Sequence, residues 1–232
     1  MKKSDLMSEK MKVEIWSDVM CPFCYIGKRH LEKALQDFDD KDEIEIIWKS
    51  FQLSPDLPEQ ANPDKNVYQH LAEAKGMSYE QSVEMHKNVA EMAKKAGLDY
   101  NFDDAVVANS FKSHRLLQLA KEKGLGDALE ERLFSAYFIE GKDTSSNDIL
   151  IELGDDIGLT KEEVNEALTN DEYADKVKED IHESRQIGVS GVPFFVFDRK
   201  YAVSGAQPPE AFTQVLEKSV SEWKELKMLD NS

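Results

Sequence analysis

The chain has 232 residues, 41% of them hydrophobic and 32% charged, with a formal net charge of -17 and only two cysteines. That length suits one large domain or one domain carrying an insertion, and the composition can bury a core. So acidic a surface repels phosphate and disfavours nucleic acid and anionic lipid as partners, and no run of about 18 apolar residues offers a membrane span.

The opening "MKKSDLMSEKMKVEIW" has lysines but no apolar segment behind them, so no secretory leader is expected and the location is read as cytoplasmic. Residues 1–10 are expected to form a frayed tail. "KVEIWSD", residues 12–18, alternates around Val13 and Ile15 and predicts a strand. "YIGKRHLEKALQDF" predicts a helix striped by Tyr25, Ile26, Leu31, Ala34, Leu35 and Phe38, despite Gly27. "EIEIIWKSF", residues 43–51, is β-branched and aromatic and predicts a second strand, which completes a βαβ unit.

Pro55, Pro58 and Pro63 then break the pattern. From about residue 64 to 187 the chain reads as helical throughout, with Gly76, Gly97, Gly124, Gly141, Gly158 and Gly188 at helix ends. Ser78 with Gln81 and Thr160 with Glu163 have the spacing of capping boxes. "VPFFVFD" (192–198) and "YAVSGA" (201–206) predict a hairpin, and Pro208-Pro209 opens a last helix striped by Phe212, Leu216, Val220 and Trp223. The order β-α-β, helices, β-β-α is an α/β fold with a helical block between its halves. It divides into 11–55 with 189–228 and an inserted 64–188.

Cys21 and Cys24 lie at the first strand-to-helix turn, where α/β proteins place their chemistry. A sulfur at a helix N-terminus meets unpaired N–H groups and the positive end of the helix dipole, which favour thiolate over thiol. Ordinary thiols titrate near 8.5, and such sites fall to about 3.5–7.5. Cys21, nearer the terminus, is read as the exposed nucleophile and Cys24 as the thiol that resolves a mixed disulfide. A zinc site would need two more ligands, and no second cysteine pair or His-x-x-x-His motif supplies them. Two inert core cysteines are the bland alternative.

"GVSGVPFF" puts Pro193 at the entry of a hairpin strand, where X-Pro bonds are the usual place for a cis peptide. The Val192 backbone could then pair with an extended substrate beside the sulfurs. Phe23, Tyr25 and Phe51 could form an apolar rim, and Trp16 and Trp48 read as core. "NSFKSHRLL" places Asn109 and His114 on one insertion helix, either touching substrate or satisfied at an interface; Asp18 could cap the helix or sit near the thiols. His70, His86 and His182 read as surface residues.

"WSDVMCPFCYIGK" with "GVSGVPFFVFDRKYAVSGAQPP" resembles the DsbA-like thioredoxin-fold family, and "FQLSPDLP" and "NSFKSHRLLQLA" resemble its cytosolic FrnE-type members. The resemblance implies a thioredoxin fold with a helical domain inserted before the hairpin. It further implies a cis Pro193 facing Cys21, and thiol–disulfide exchange on protein or small-molecule disulfides and thiols, glutathione included, with no cofactor or metal. Phe23 stands where the periplasmic oxidant DsbA has histidine, so a less oxidising, reductase- or isomerase-type couple is expected. Two other readings stay open: a glutathione-dependent 2-hydroxychromene-2-carboxylate isomerase or kappa-type transferase, whose members typically carry serine at the position of Cys21, and a redox-inert, chaperone-like peptide binder. The oligomeric state is not legible.

Overall fold

In the computed structural model, residues 10–62 and 65–230 are described. The tail expected over 1–10 lies outside them except for Lys10, as does Pro63. The β-branched and aromatic runs become β1 (Met11–Ser17) and β2 (Ile44–Ser50), joined through helix α1 (Pro22–Gln36). They pair in parallel, with Ile15 opposite Trp48. β3 (Phe194–Phe197) and β4 (Tyr201–Ser204) form the hairpin, and β3 runs antiparallel to β1, with Ile15 opposite Phe195. The sheet order is β2-β1-β3-β4. A central position explains why all of β1 except Lys12 is buried, although its sequence alternates.

Between the halves come α2 (Val67–Lys75), α3 (Tyr79–Lys95), α4 (Phe111–Glu122), α5 (Gly126–Phe138), α6 (Asn147–Asp156), α7 (Lys161–Thr169) and α8 (Asp171–Gln186); α9 (Pro209–Asp230) closes the chain. Both capping boxes form, at Ser78 and Thr160. The six glycines named as helix ends all take positive φ, from 63° to 91°. One expectation fails: the block is not helical throughout. Residues 98–109 form a loop, half of it buried, that is pinned by the bridge between Asn66 and Val106.

Helix α9 packs on α1, β3 and β4, while α4, α5 and α8 pack on β2. The sheet therefore lies between helices, and the inserted helices supply one cover. Two tryptophans fix that cover. Trp16 donates its indole N–H to the Asp180 carbonyl at 3.0 Å, and Trp48 donates to the Asp127 carboxylate at 3.0 Å. Both rings are buried core, and one apolar cluster runs from Ile15 and Trp48 through Leu116, Phe134 and Phe138.

Candidate active site

β1 ends at Ser17 and the chain turns tightly into α1. The Cys21 N–H donates to the Asp18 carbonyl at 2.9 Å. The buried Asp18 carboxylate accepts the Met20 and Leu53 N–H groups, at 3.3 and 2.7 Å. Asp18 thus ties the turn to the loop after β2 and does not cap the helix. Cys21 is the N-cap, with extended φ/ψ of -90° and 110°, and Pro22 opens the first helical turn. The Cys24 N–H returns to the Cys21 carbonyl at 3.0 Å. Both cysteines are free thiols.

The hairpin entry meets this turn. The Val192–Pro193 peptide bond is cis, and the Cys21 Sγ donates to the Val192 carbonyl at 3.4 Å. The Pro193 carbonyl accepts the Gly205 N–H at 2.8 Å, which fastens the segment to the start of the last loop. Gly27, in the second turn of α1, lies under Pro193: a Cβ there would stand 3.0 Å from Pro193 Cγ and 3.1 Å from Phe195 Cζ.

The sequence reading had Cys21 exposed, and the structure corrects this. Cys21 is 3% accessible and Cys24 1%, because the Val192 carbonyl caps the first sulfur while the helix turn encloses the second. Burial pushes the Cys24 thiol well above its ordinary range, and the neighbouring Cys21 sulfur adds to the rise. Tyr25, expected at an apolar rim, is core instead; its ring stacks on Phe134 with centroids 4.9 Å apart. Position 25 faces inward because the inserted helices cover that side of α1. Phe23, at 37%, and Leu53, at 48%, are the exposed apolar side chains nearest the turn in sequence, and Phe51 is half-buried.

Asn109 precedes α4 and is not on it. Its Oδ1 accepts the Phe111 N–H at 2.9 Å, an Asx turn that starts the helix two residues later. Its amide also bonds the loop after β2, accepting from Gln52 Nε2 at 3.2 Å and donating to the Leu57 carbonyl at 2.6 Å. His114 is on α4 but has no accessible surface; its Nε2 stands 3.6 Å from Asp18 Oδ1. Of the other histidines, His70 and His86 are also misjudged by the sequence: both are half-buried, and His86 packs edge-on against Tyr68 and Phe102.

Sequence reasoning missed three side chains beside the turn. Tyr100, from the loop before α4, donates its hydroxyl to the Pro22 carbonyl at 2.7 Å, and burial raises its phenol, with the cysteine sulfurs adding to the effect. Ser17, the last residue of β1, donates to the Glu130 carboxylate at 2.7 Å. Glu130 is wholly buried, and burial raises its carboxyl from 4.5 to about 7. A signal for Glu130 did exist: it lies three and four residues before Leu133 and Phe134, on the apolar stripe of α5, where a carboxylate is out of place. Among the described residues, no group of three His, Cys, Asp or Glu is placed to hold a metal ion, and no helix is long and apolar enough to cross a membrane.

A model of the DsbA-like thioredoxin domain matches residues 12–217. The Bacillus subtilis protein YwbO is 26% identical over 90% of this chain and 96% of its own length. A Streptomyces coelicolor protein described as a probable DsbA oxidoreductase has a crystal structure similar at a TM-score of 0.85, with 41% identity and 91% of each chain covered. The cytosolic disulfide reductase DsbM of Pseudomonas aeruginosa, solved with glutathione, shares the fold at a TM-score of 0.64 and 18% identity, over 90% of this chain and 99% of that one. With its two sulfurs at the first βα turn and the Val192 carbonyl against one of them, this chain belongs to the DsbA-like thioredoxin-domain family.

Proposed function

We propose that the protein is a thiol–disulfide oxidoreductase of the reductase or isomerase type. Cys21 attacks a substrate disulfide and forms a mixed disulfide; Cys24 then attacks Cys21, closes the internal disulfide and releases the substrate as thiol. The observation that carries this reading is the unequal setting of the two sulfurs. Cys21 occupies the N-cap against the Val192 carbonyl, whereas Cys24 lies a turn deeper as a thiol held protonated by burial. A nucleophile at the helix N-cap with a protonated resolving thiol one turn deeper is what exchange requires.

Val192 and Pro193 present backbone to an extended substrate, and Phe23, at 37% accessible, offers it an apolar contact. Protein disulfides and small thiols, glutathione among them, are the proposed partners; the fold shared with a glutathione-bound disulfide reductase supports this. We place the protein in the cytoplasm, where a dithiol couple has a reducing pool to draw on. The unit 64–188, inserted between 11–55 and 189–228, serves as the helical cover of the site.

The test is turnover of insulin disulfides by the wild type, Cys21→Ser and Cys24→Ser, with the reduction potential measured alongside. Loss of reduction in both variants, and a mixed disulfide trapped on Cys21 in Cys24→Ser, is the expected result. Activity that survives in Cys24→Ser only with glutathione present would favour the transferase reading instead. Peptide binding untouched in Cys21→Ser, with no disulfide formed by the wild type, would leave a chaperone.

A further inference from the structure

Pro22 and Phe23 separate the two sulfurs. The pyrrolidine ring fixes φ of Pro22, so the first soft backbone dihedral between the cysteines is its ψ, which sets where the Pro22 carbonyl points. That carbonyl accepts the Tyr100 hydroxyl at 2.7 Å. A carbonyl has two lone pairs, so this bond adds to the helix ladder of α1 and does not compete with it. Ring and phenol together hold both dihedrals of residue 22.

The phenol arrives from the chain between β2 and β3. Tyr100 lies in the loop 98–109, and the packing of the neighbouring helices aims it. Its ring stacks on Phe138 of α5, with centroids 4.7 Å apart, and meets Phe102 edge-on at 5.4 Å. The next residue, Asn101, donates its N–H to the Phe138 carbonyl at 2.7 Å. Burial raises the phenol, so its hydroxyl stays a donor through the range in which thiols titrate. A second phenol serves the same loop away from the sulfurs: Tyr68 of α2 donates to Asp103 at 2.7 Å.

We infer that Tyr100 is a positioning residue for the dithiol, holding the Pro22 carbonyl so that the turn from Cys21 to Cys24 is ordered before the internal disulfide closes. The inference rests on the thiol–disulfide exchange proposed above. On closure each thiol gives up its hydrogen and the two sulfurs bond. The oxidant, glutathione disulfide for example, takes those two electrons and two protons and leaves as two thiols. Once formed, the S–S bond holds the turn covalently, whereas the dithiol relies on its backbone contacts. Freeing the Pro22 carbonyl therefore adds disorder mainly to the dithiol and favours it. Tyr100 has the opposite effect: it raises the effective concentration of one sulfur at the other and makes the couple more reducing.

Equilibration in glutathione buffers of graded ratio, read by alkylation and mass spectrometry, gives the constant for internal disulfide formation. Tyr100→Phe keeps the ring and removes the hydroxyl. Its constant should fall by about 3–10-fold, the worth of one hydrogen bond, which raises the potential by about 14–30 mV. Tyr68→Phe removes the other phenol bond to the same loop; it should cost comparable stability in urea and leave the constant at the wild-type value. An unchanged or raised constant in Tyr100→Phe would overturn the assignment. So would an equal fall in both variants, because a loosened loop would then be the cause. A wild type that forms no internal disulfide at any ratio would sink the exchange reading, and this inference with it.

Discussion

Gly27 and Pro193 touch across the site: the first has no side chain because the ring of the second occupies its place, 3.0 Å from where a Cβ would stand. Gly27→Ala should gain up to about 1 kcal/mol of helix propensity. It should lose about 1–3 kcal/mol by overpacking against a rigid proline ring and the fully buried Phe195. The expected outcome is a net loss near 1 kcal/mol in urea unfolding, with a slower Cys21 attack because the Val192 carbonyl shifts from the sulfur. A variant as stable and as fast as the wild type would mean that the hairpin entry gives way freely.

Asn109 is predicted to matter for stability before substrate. Its side chain starts α4 and fastens residues 52–57, so Asn109→Ala strips several bonds at once. A loss of about 2 kcal/mol is expected by denaturant titration. Unchanged stability with a raised KM for peptide disulfides would make it a substrate contact instead.

Cys24 should resist alkylation. Its thiol is 1% accessible and held protonated well above the ordinary thiol range. In Cys21→Ser at neutral pH, iodoacetamide should label Cys24 at least about 10²-fold more slowly than a free cysteine, and unfolding should restore the rate. Mass spectrometry of quenched samples reads this directly, and rapid labelling of the folded variant would contradict the buried setting.

Glu130 should make stability fall with pH. Its carboxyl is raised, by burial first, from 4.5 to about 7. The folded chain therefore keeps a proton that the unfolded chain releases between those values. The stability linked to this group is complete below pH 4.5 and is lost as pH rises towards 7. Glu130→Gln removes the titration, so its stability relative to the wild type should improve between about pH 5 and about pH 8, by on the order of 1–3 kcal/mol. Urea midpoints across that range check it; a pH-independent difference would show that Glu130 titrates alike in both states.

The sequence alone determined most of the elements, because they rest on local physics; the loop at 98–109, read as helix, is the exception. A period-2 run made β1 and a β-branched, aromatic run made β2, glycines with positive φ and two capping boxes bounded helices, and a lone cysteine pair at a strand-to-helix turn marked the chemistry. It misjudged Tyr25, Asn109 and the exposure of Cys21, and it passed over Ser17, Tyr100 and Glu130. Those depend on partners far along the chain: Ser17 meets Glu130 across 113 positions, and Cys21 meets Val192 across 171. Burial and hydrogen-bond partnership are set by which distant segments pack together, so only the tertiary structure could decide that both sulfurs are enclosed and which groups lie against them.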